Sequence, residues 1–142
     1  MHNISKNAIV PYSAQQMYNL VNKIDDYPKF LNWCNSATIL NQTDEQITAS
    51  IKISKGTFEQ IFTTTNRLTP NQRIDIKLKD GIFKELNGAW IFTKLNENAC
   101  KIELELSFSF ASKLMDIAVS PVFTAIANSQ LENFIARAKQ LY

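Results

Sequence analysis

The C-terminal stretch, residues 112–142, carries the pattern that most limits the folds open to this chain. Its apolar side chains recur at steps of three and four, which is typical of a helix that buries one face. These residues are Leu114, Ile117, Ala118, Val122, Phe123, Ile126, Ala127, Leu131, Phe134, Ile135, Ala138 and Leu141. Ser112 is placed to cap this helix, and Pro121 predicts either a kink or a restart capped by Ser120. A helix this long and this apolar needs a broad surface to pack against.

The upstream sequence predicts that surface as a β-sheet. Residues 47–54, 73–79 and 101–110 alternate apolar and polar side chains, so each predicts a strand with one buried and one exposed face. Less regular strands are predicted at residues 37–43, 57–68 and 84–95, and a first strand at residues 3–10. The C-terminal helix is the largest element left to cover the apolar face of these seven strands.

Two short helices are predicted between the first and second strands. Ser13 and Gln16 have the spacing of a capping box at the start of one helix, and Pro28 is placed to open the other. The predicted fold class is therefore α+β: a curved seven-stranded antiparallel sheet around a long C-terminal helix. The chain is expected to form a single domain over residues 1–142.

Composition favours a globular cytoplasmic protein. The chain is 45% hydrophobic with a formal net charge of +2, and it has neither a signal peptide nor an apolar run long enough to span a membrane. Cys34 and Cys100 are far apart without a CxxC spacing, so both are predicted to be reduced thiols. Basic residues in the strands alternate with acidic ones and lack the exposed aromatics of an RNA-recognition sheet, so a solvated face of mixed charge is favoured over a nucleic-acid-binding surface, and DNA is not an expected partner.

The residues for common catalytic or metal chemistry are missing from the sequence. His2 is the only histidine, and it is expected to be an exposed residue of a mobile terminus. Neither a zinc motif nor a glycine-rich phosphate loop occurs. The chain is therefore predicted to be no enzyme, with no metal site and no required cofactor.

The aromatic residues of the predicted sheet and helix leave two interpretations open. They form either an ordinary packed core or, in part, the wall of a cavity for a flat or chain-like apolar ligand. The wall would include Trp90, Phe92, Phe108, Phe123 and Ile126. Asn66, Arg67 or the Tyr12 hydroxyl would then anchor a polar head group.

Several segments together form a pattern that covers most of the chain: residues 10–21 and 26–31, Phe62-Thr63-Thr64, residues 80–84 and 86–92, Pro121-Val122-Phe123, Arg137-Ala138 and Tyr142. This pattern resembles the RatA family of START-like, coenzyme Q-binding proteins. The resemblance covers essentially the whole chain and implies a helix-grip fold. The chain departs from the family pattern at Asn32, at Ile82 and at Ser129-Gln130-Leu131, and the last departure lies on the helix near the expected cavity.

The resemblance implies two different functions. One is non-enzymatic binding of ubiquinone or a similar lipid, with transient contact at the inner membrane face, in support of respiration. The alternative is a ribosome-binding toxin that acts on the large ribosomal subunit and blocks subunit association. The predicted ligand-binding residues are Trp33, Phe62, Trp90, Phe92, Phe108, Val122, Phe123, Ile126, Ala127 and Gln130. Whether Gln130 faces solvent or a ligand is left open by the sequence.

Overall fold

The computed structural model describes residues 1–142 and contains one seven-stranded antiparallel sheet. Its strands are β1 (His2–Val10), β2 (Cys34–Gln42), β3 (Gln46–Lys55), β4 (Phe58–Thr69), β5 (Arg73–Asp80), β6 (Phe83–Asn96) and β7 (Ala99–Phe110). The order across the sheet is β1-β7-β6-β5-β4-β3-β2, so β2–β7 form a meander, and β1 forms the edge of the sheet next to β7. The predicted strand number and antiparallel arrangement are confirmed.

The sheet curves, and its irregularities show where. The register between β2 and β3 shifts twice, between Cys34 and Ser36 and again between Ile39 and Asn41. Another shift separates Thr63 from Thr64 where β4 pairs with β5. Such bulges bend a strand and increase its twist. The concave face of the bent sheet holds the apolar side chains that the alternation predicted.

Two short helices follow β1. In α1 (Ala14–Asn22) the capping box is confirmed: the Gln16 amide donates to Ser13 Oγ at 3.0 Å, and the Ser13 amide donates to Gln16 Oε1 at 2.9 Å. A 3₁₀ helix covers Ile24–Lys29. The prediction that Pro28 opens this second helix is wrong, because Pro28 lies inside it. The helix is instead held at its centre, where the buried Tyr27 hydroxyl donates to the carbonyl of Val21.

The long C-terminal helix, α2 (Lys113–Leu141), runs for 29 residues without interruption. Ser112 caps it as predicted, with its Oγ accepting from the Met115 amide at 3.1 Å. The predicted restart at Ser120 is wrong, since Pro121 lies within the continuous helix. Proline removes one hydrogen bond from a helix interior, but Val119 and Phe123 on either side of it are buried and hold the helix against the sheet.

His2 is not a mobile tail residue, which corrects the expectation from sequence. Its ring stacks on Phe108 with centroids 5.1 Å apart, and its Nε2 lies 2.6 Å from Asp116 Oδ1 and 3.1 Å from Ser120 Oγ. The register of β1 against β7 explains this position, because His2 pairs with Phe108 directly in front of the first turns of α2. Both polar contacts use the same ring nitrogen, whereas a Ser-His-Asp triad uses one nitrogen for each partner. His2 therefore joins β1 to α2 and does not complete a catalytic triad.

The core lies between the concave face of the sheet and α2. It forms one cluster of 34 buried residues, in which Phe108 and Phe134 are fully buried. Near the start of α2, Phe123 packs edge-on against Phe83 and Phe108, each with a centroid distance of 4.8 Å. This aromatic block fills one end of the space between sheet and helix. Neither helix is long and apolar enough to cross a membrane.

Candidate ligand-binding site

A cavity remains beside the aromatic block, between the sheet and the middle of α2. About 90 Å³ of it is open to the centre of a water-sized sphere, and 16 of its 19 lining residues are hydrophobic. The walls are Val21, Ile24, Tyr27, Trp33, Ile51, Phe62, Thr64, Asn66, Ile74, Ile76, Leu86, Trp90, Leu104, Leu106, Phe123, Ile126, Ala127, Gln130 and Phe134. All layers of the fold contribute to it, from the 3₁₀ helix to the central strands and α2.

The structure brings seven of the ten predicted ligand-binding residues together around this cavity. They are Trp33, Phe62, Trp90, Phe123, Ile126, Ala127 and Gln130. The four on α2 follow helical spacing, so they share the face that the helix turns toward the sheet. Their part in binding a ligand stays a prediction.

Three predicted residues lie outside the cavity lining. Phe92 shares a face of β6 with Trp90 but lies further along the strand, where its ring packs edge-on against Tyr18 of α1 at 5.8 Å. Phe108 belongs to the aromatic block under His2. Val122 precedes Phe123 by one residue, and the rotation of about 100° per residue turns it off the cavity face. These three side chains therefore lie away from the cavity lining, and their part in binding a ligand stays a prediction.

The aliphatic wall was missed. Ile74 and Ile76 of β5 and Leu104 and Leu106 of β7 line the cavity together with Leu86 of β6. The period-two alternation did place Ile74, Ile76, Leu104 and Leu106 on the buried face of the sheet. Which part of that face meets the helix directly and which part meets a cavity depends on the curvature of the sheet.

Polar side chains in the cavity fall into two groups. Thr64 and Asn66 are buried on β4, and the Thr64 hydroxyl donates to Asn66 Oδ1 at 3.0 Å. Trp33 and Gln130 differ from them, because the indole Nε1 and the amide Oε1 are buried without any hydrogen-bond partner. Gln130 thus faces the cavity, which answers the question that the sequence left open.

The other two candidate anchors are elsewhere. Arg67 follows Asn66 on β4, so its side chain points to the opposite face of the sheet and is exposed. Tyr12 packs against Tyr142, with ring centroids 5.9 Å apart. Of the three proposed anchors for a polar head group, the structure places only Asn66 at the cavity.

An open groove of about 490 Å³ adjoins the cavity. Trp33 and Ile126 line both spaces, so they form the neck between them. The groove is mostly polar, and its further lining residues are Phe30, Asn32, Ser54, Lys55, Gly56, Ser129 and Asn133. Ser129 therefore faces the groove, while the neighbouring Gln130 faces the cavity.

Titratable groups near the cavity are held neutral. Complete burial raises the pKa of Tyr27 far above its usual value, and the nearby Cys34 adds to the effect. Burial also raises the pKa of the Cys34 thiol to about 11. Neither group is suited to take or give a proton near neutral pH. Cys34 and Cys100 are both free and buried, as predicted.

Comparison with known proteins agrees with this arrangement. Residues 10–135 match the family described as polyketide cyclase / dehydrase and lipid transport. The ribosome association toxin RatA of Escherichia coli K12 is 46% identical over the whole chain, which covers 90% of that protein. The persistence and stress-resistance toxin PasT of Escherichia coli O6:H1 has the same identity and coverage.

The chain belongs to the RatA family. A more distant relative is the mitochondrial coenzyme Q-binding protein COQ10 of Drosophila melanogaster, 26% identical over 91% of this chain and 54% of that protein. Among solved structures, the Zhui aromatase/cyclase from Streptomyces sp. R1128 superimposes with a TM-score of 0.84, covering 98% of this chain and 94% of that one. It is 12% identical, so it supports the fold of this RatA-family chain alone. The family match over residues 10–135, together with this likeness of fold, confirms the START-like helix-grip architecture.

Proposed function

We propose that this RatA-family chain is a non-enzymatic binding protein for a hydrophobic ligand of the quinone type, which it holds between the sheet and α2. The observation that carries the proposal is the apolar cavity of about 90 Å³ inside an otherwise continuous core. Protein interiors are close-packed and contain few voids larger than a water molecule. Apolar walls bind water poorly, whereas a hydrophobic ligand would fill the space favourably.

The chemistry of the walls supports binding over catalysis. Tyr27 is the only cavity-lining side chain that titrates, and burial keeps its hydroxyl protonated. General acid–base catalysis needs a group that exchanges a proton near the working pH. The remaining polar walls, such as Thr64, Asn66 and Gln130, offer hydrogen bonds without proton transfer.

The dimensions support a ligand that occupies two spaces. The cavity has room for a ring or a short apolar segment, and the adjoining groove, which is mostly polar, would give the rest of a longer ligand a way out to the surface. Exposed apolar residues on the first turns of α2, Leu114 at 76% and Ile117 at 64%, would favour transient contact with a membrane face where such ligands dissolve. The protein would then act as a carrier between membrane and cytoplasm.

Organic extraction of the purified protein, followed by mass spectrometry, tests this function. We expect a lipid that carries a quinone ring in stoichiometric amounts, or binding of added ubiquinone to protein purified without ligand. Protein that is repeatedly empty and that also fails to bind added ubiquinone would refute the proposal. Denatured protein extracted in the same way controls for lipid that adheres without a folded cavity.

Ribosome association is the second candidate function. It is favoured by the names of relatives that are 41–46% identical over nearly the whole chain, which are called ribosome association toxins. The exposed Leu114 and Ile117 beside Lys113 offer this function a contact surface that does not use the cavity. Sucrose gradients of purified ribosomal subunits with and without the protein test it. Co-sedimentation with the large subunit and loss of joined ribosomes would support it, and an unchanged profile would count against it.

A Leu114→Ser, Ile117→Ser double variant separates the two functions. Both residues are exposed and lie outside the cavity lining, so the substitutions should leave ligand binding unchanged. Loss of ribosome association in this variant, with normal ubiquinone binding, would assign the two functions to different surfaces. Equal loss of both would show that the two activities share one surface.

A further inference from the structure

Two residues that line the cavity each carry a buried polar atom without a hydrogen-bond partner: Nε1 of Trp33 and Oε1 of Gln130. Most buried polar groups in folded proteins are paired, because water has been removed and the lost hydrogen bonds must be replaced. Thr64 and Asn66 in the same cavity follow this rule by bonding to each other. An unpaired donor and an unpaired acceptor on one apolar cavity therefore call for a third group that pairs with them.

The fold holds Trp33, whose Nε1 is unpaired, in a fixed position. Trp33 is 8% exposed and sits at the junction between the 3₁₀ helix and β2. Its carbonyl accepts from the Ser54 amide at 2.8 Å, which fixes the backbone against β3. The side chain lies at the neck, because Trp33 lines the cavity and the groove alike. Its indole is thus held where any ligand that spans the two spaces must pass.

The chemistry of the two side chains defines what they can bind. An indole N–H only donates, so Trp33 requires an acceptor such as a carbonyl, hydroxyl or ether oxygen. The Gln130 amide adapts by rotation, because it accepts a hydroxyl proton through Oε1 or donates through its NH₂ group. Gln130 shares the cavity-facing stripe of α2 with Ile126 and Ala127. Together the two side chains can hydrogen-bond to a ring that carries oxygen, whereas a pure hydrocarbon offers them no hydrogen-bond partner.

We propose that Trp33 and Gln130 form a polar anchor that binds a ring oxygen of the ligand and so selects quinone-type molecules over hydrocarbons of the same shape. This inference rests on the proposed ligand-binding function and adds the part of the ligand that is recognised. A ring oxygen can accept from the Trp33 indole N–H and from the Gln130 NH₂ group, whereas a ligand without oxygen gives neither side chain a hydrogen bond, which lowers its affinity.

A matched pair of small ligands tests the anchor. Duroquinone and 1,2,4,5-tetramethylbenzene share a six-membered ring with four methyl groups and differ in two carbonyl oxygens. Dissociation constants are measured by calorimetry for the wild type and for the variants Trp33→Phe and Gln130→Met, which keep apolar bulk and remove the polar atoms. Gln15→Met is the matched control, because Gln15 is exposed on α1.

We expect duroquinone to bind the wild type more tightly than tetramethylbenzene does. Each anchor variant should weaken duroquinone by about two- to tenfold, the usual range for one hydrogen bond, and leave tetramethylbenzene unchanged. Circular dichroism checks that each variant is folded, and Gln130→Met alone decides the question if Trp33→Phe does not fold.

Other outcomes separate the anchor from the proposed function. If the wild type binds neither compound and also fails to bind ubiquinone, the ligand-binding function itself is refuted; if it binds ubiquinone but does not prefer duroquinone over tetramethylbenzene, the anchor alone is refuted. If both compounds bind and the variants weaken both equally or neither, the anchor is refuted while the cavity function stands. A crystal structure of the duroquinone complex in which no ring oxygen lies within hydrogen-bond distance of Trp33 Nε1 or of the Gln130 side-chain NH₂ group would also overturn the anchor.

Discussion

A substitution that fills the cavity should weaken ligand binding while changing the free energy of unfolding only slightly. Ala127 is 2% exposed and lines the cavity from the middle of α2. In Ala127→Leu, three added carbons enter a space of about 90 Å³. Leucine is also a strong helix former, so α2 itself is not weakened.

The magnitude follows from two opposing contributions. Burial of three carbons stabilises by about 2.4 kcal/mol at about 0.8 kcal/mol each. Steric strain in a core that does not adapt fully costs about 1–3 kcal/mol. The net change in the free energy of unfolding should lie between about 0.6 kcal/mol of loss and about 1.4 kcal/mol of gain. A ligand that needs the same space should lose at least about tenfold in affinity, or about 1.4 kcal/mol.

Intrinsic fluorescence reports the binding directly. The chain has two tryptophans, Trp33 and Trp90, and both line the cavity, so a bound quinone would quench their emission. Urea unfolding gives the stability of the same preparations. Ala125→Leu is the matched control, because Ala125 lies two residues away on the exposed face of α2. Wild-type affinity in Ala127→Leu would refute the assignment of the cavity as the ligand site.

Three further predictions concern groups outside the ligand contacts. With a pKa of about 11, only about one in a thousand Cys34 side chains is a thiolate at pH 8, and the residue is buried, so Ellman's reagent should label it only after denaturant is added. If the native protein were labelled within seconds, that result would contradict the burial of Cys34. The hydrogen bond from Lys29 lowers the pKa of Asp26, so its ionised form stabilises the fold at neutral pH and this contribution disappears as pH falls through the lowered pKa. Asp26→Asn should therefore cost less than about 1 kcal/mol at pH 7 and nothing near pH 2, as measured by urea unfolding, and an equal cost at both pH values would refute the pairing. A Cβ on Gly88 would lie 2.1 Å from the carbonyl oxygen of Glu105, so Gly88→Ala should lower the free energy of unfolding by more than about 2 kcal/mol. The control Asn87→Ala, at an exposed residue of the same strand, should change it by no more than about 0.5 kcal/mol. Similar thermal melts for the two variants would contradict the close approach of β6 and β7.

The sheet could be predicted because its signal is local. Alternation of apolar and polar residues is enough to define strands such as β3, β5 and β7, and the less regular strands β2, β4 and β6 were predicted in the segments between them. The capping box at Ser13 is equally local, since both of its hydrogen bonds join residues three apart. The predictions that Pro28 and Pro121 start helices were wrong because they rested on a local rule. Proline is common at the first position of a helix, but here both prolines lie inside their helices, where tertiary packing keeps them.

The position of His2 could not be read from its neighbours in the sequence. Its partners, Asp116 and Ser120, are 114 and 118 residues away and meet it only because β1 pairs with β7 next to the start of α2. A lone histidine near a terminus gives no local sign of such contacts.

The sequence predicted that a cavity lies between sheet and helix, but it predicted only some of the residues that line it. Helical spacing placed Phe123, Ile126 and Ala127 on one face of α2, and that face does line the cavity. The strands were harder, because aromatic residues were favoured over aliphatic ones. Phe108 closes the aromatic block, while Leu104, four residues earlier on the same face of β7, reaches the cavity. The sequence defines which face is buried, and the curvature of the sheet decides where that face leaves space.

The central claim is that a quinone-type ligand binds inside the sheet–helix cavity, and an NMR titration tests it most directly. Isoleucine methyl groups are labelled and the protein is titrated with a short-chain ubiquinone. The isoleucines that line the cavity are Ile24, Ile51, Ile74, Ile76 and Ile126, whereas Ile9, Ile61 and Ile117 are 71%, 58% and 64% exposed. We predict saturable shifts confined to the first group. Shifts confined to the exposed group, or no shift at ligand saturation, would contradict the claim.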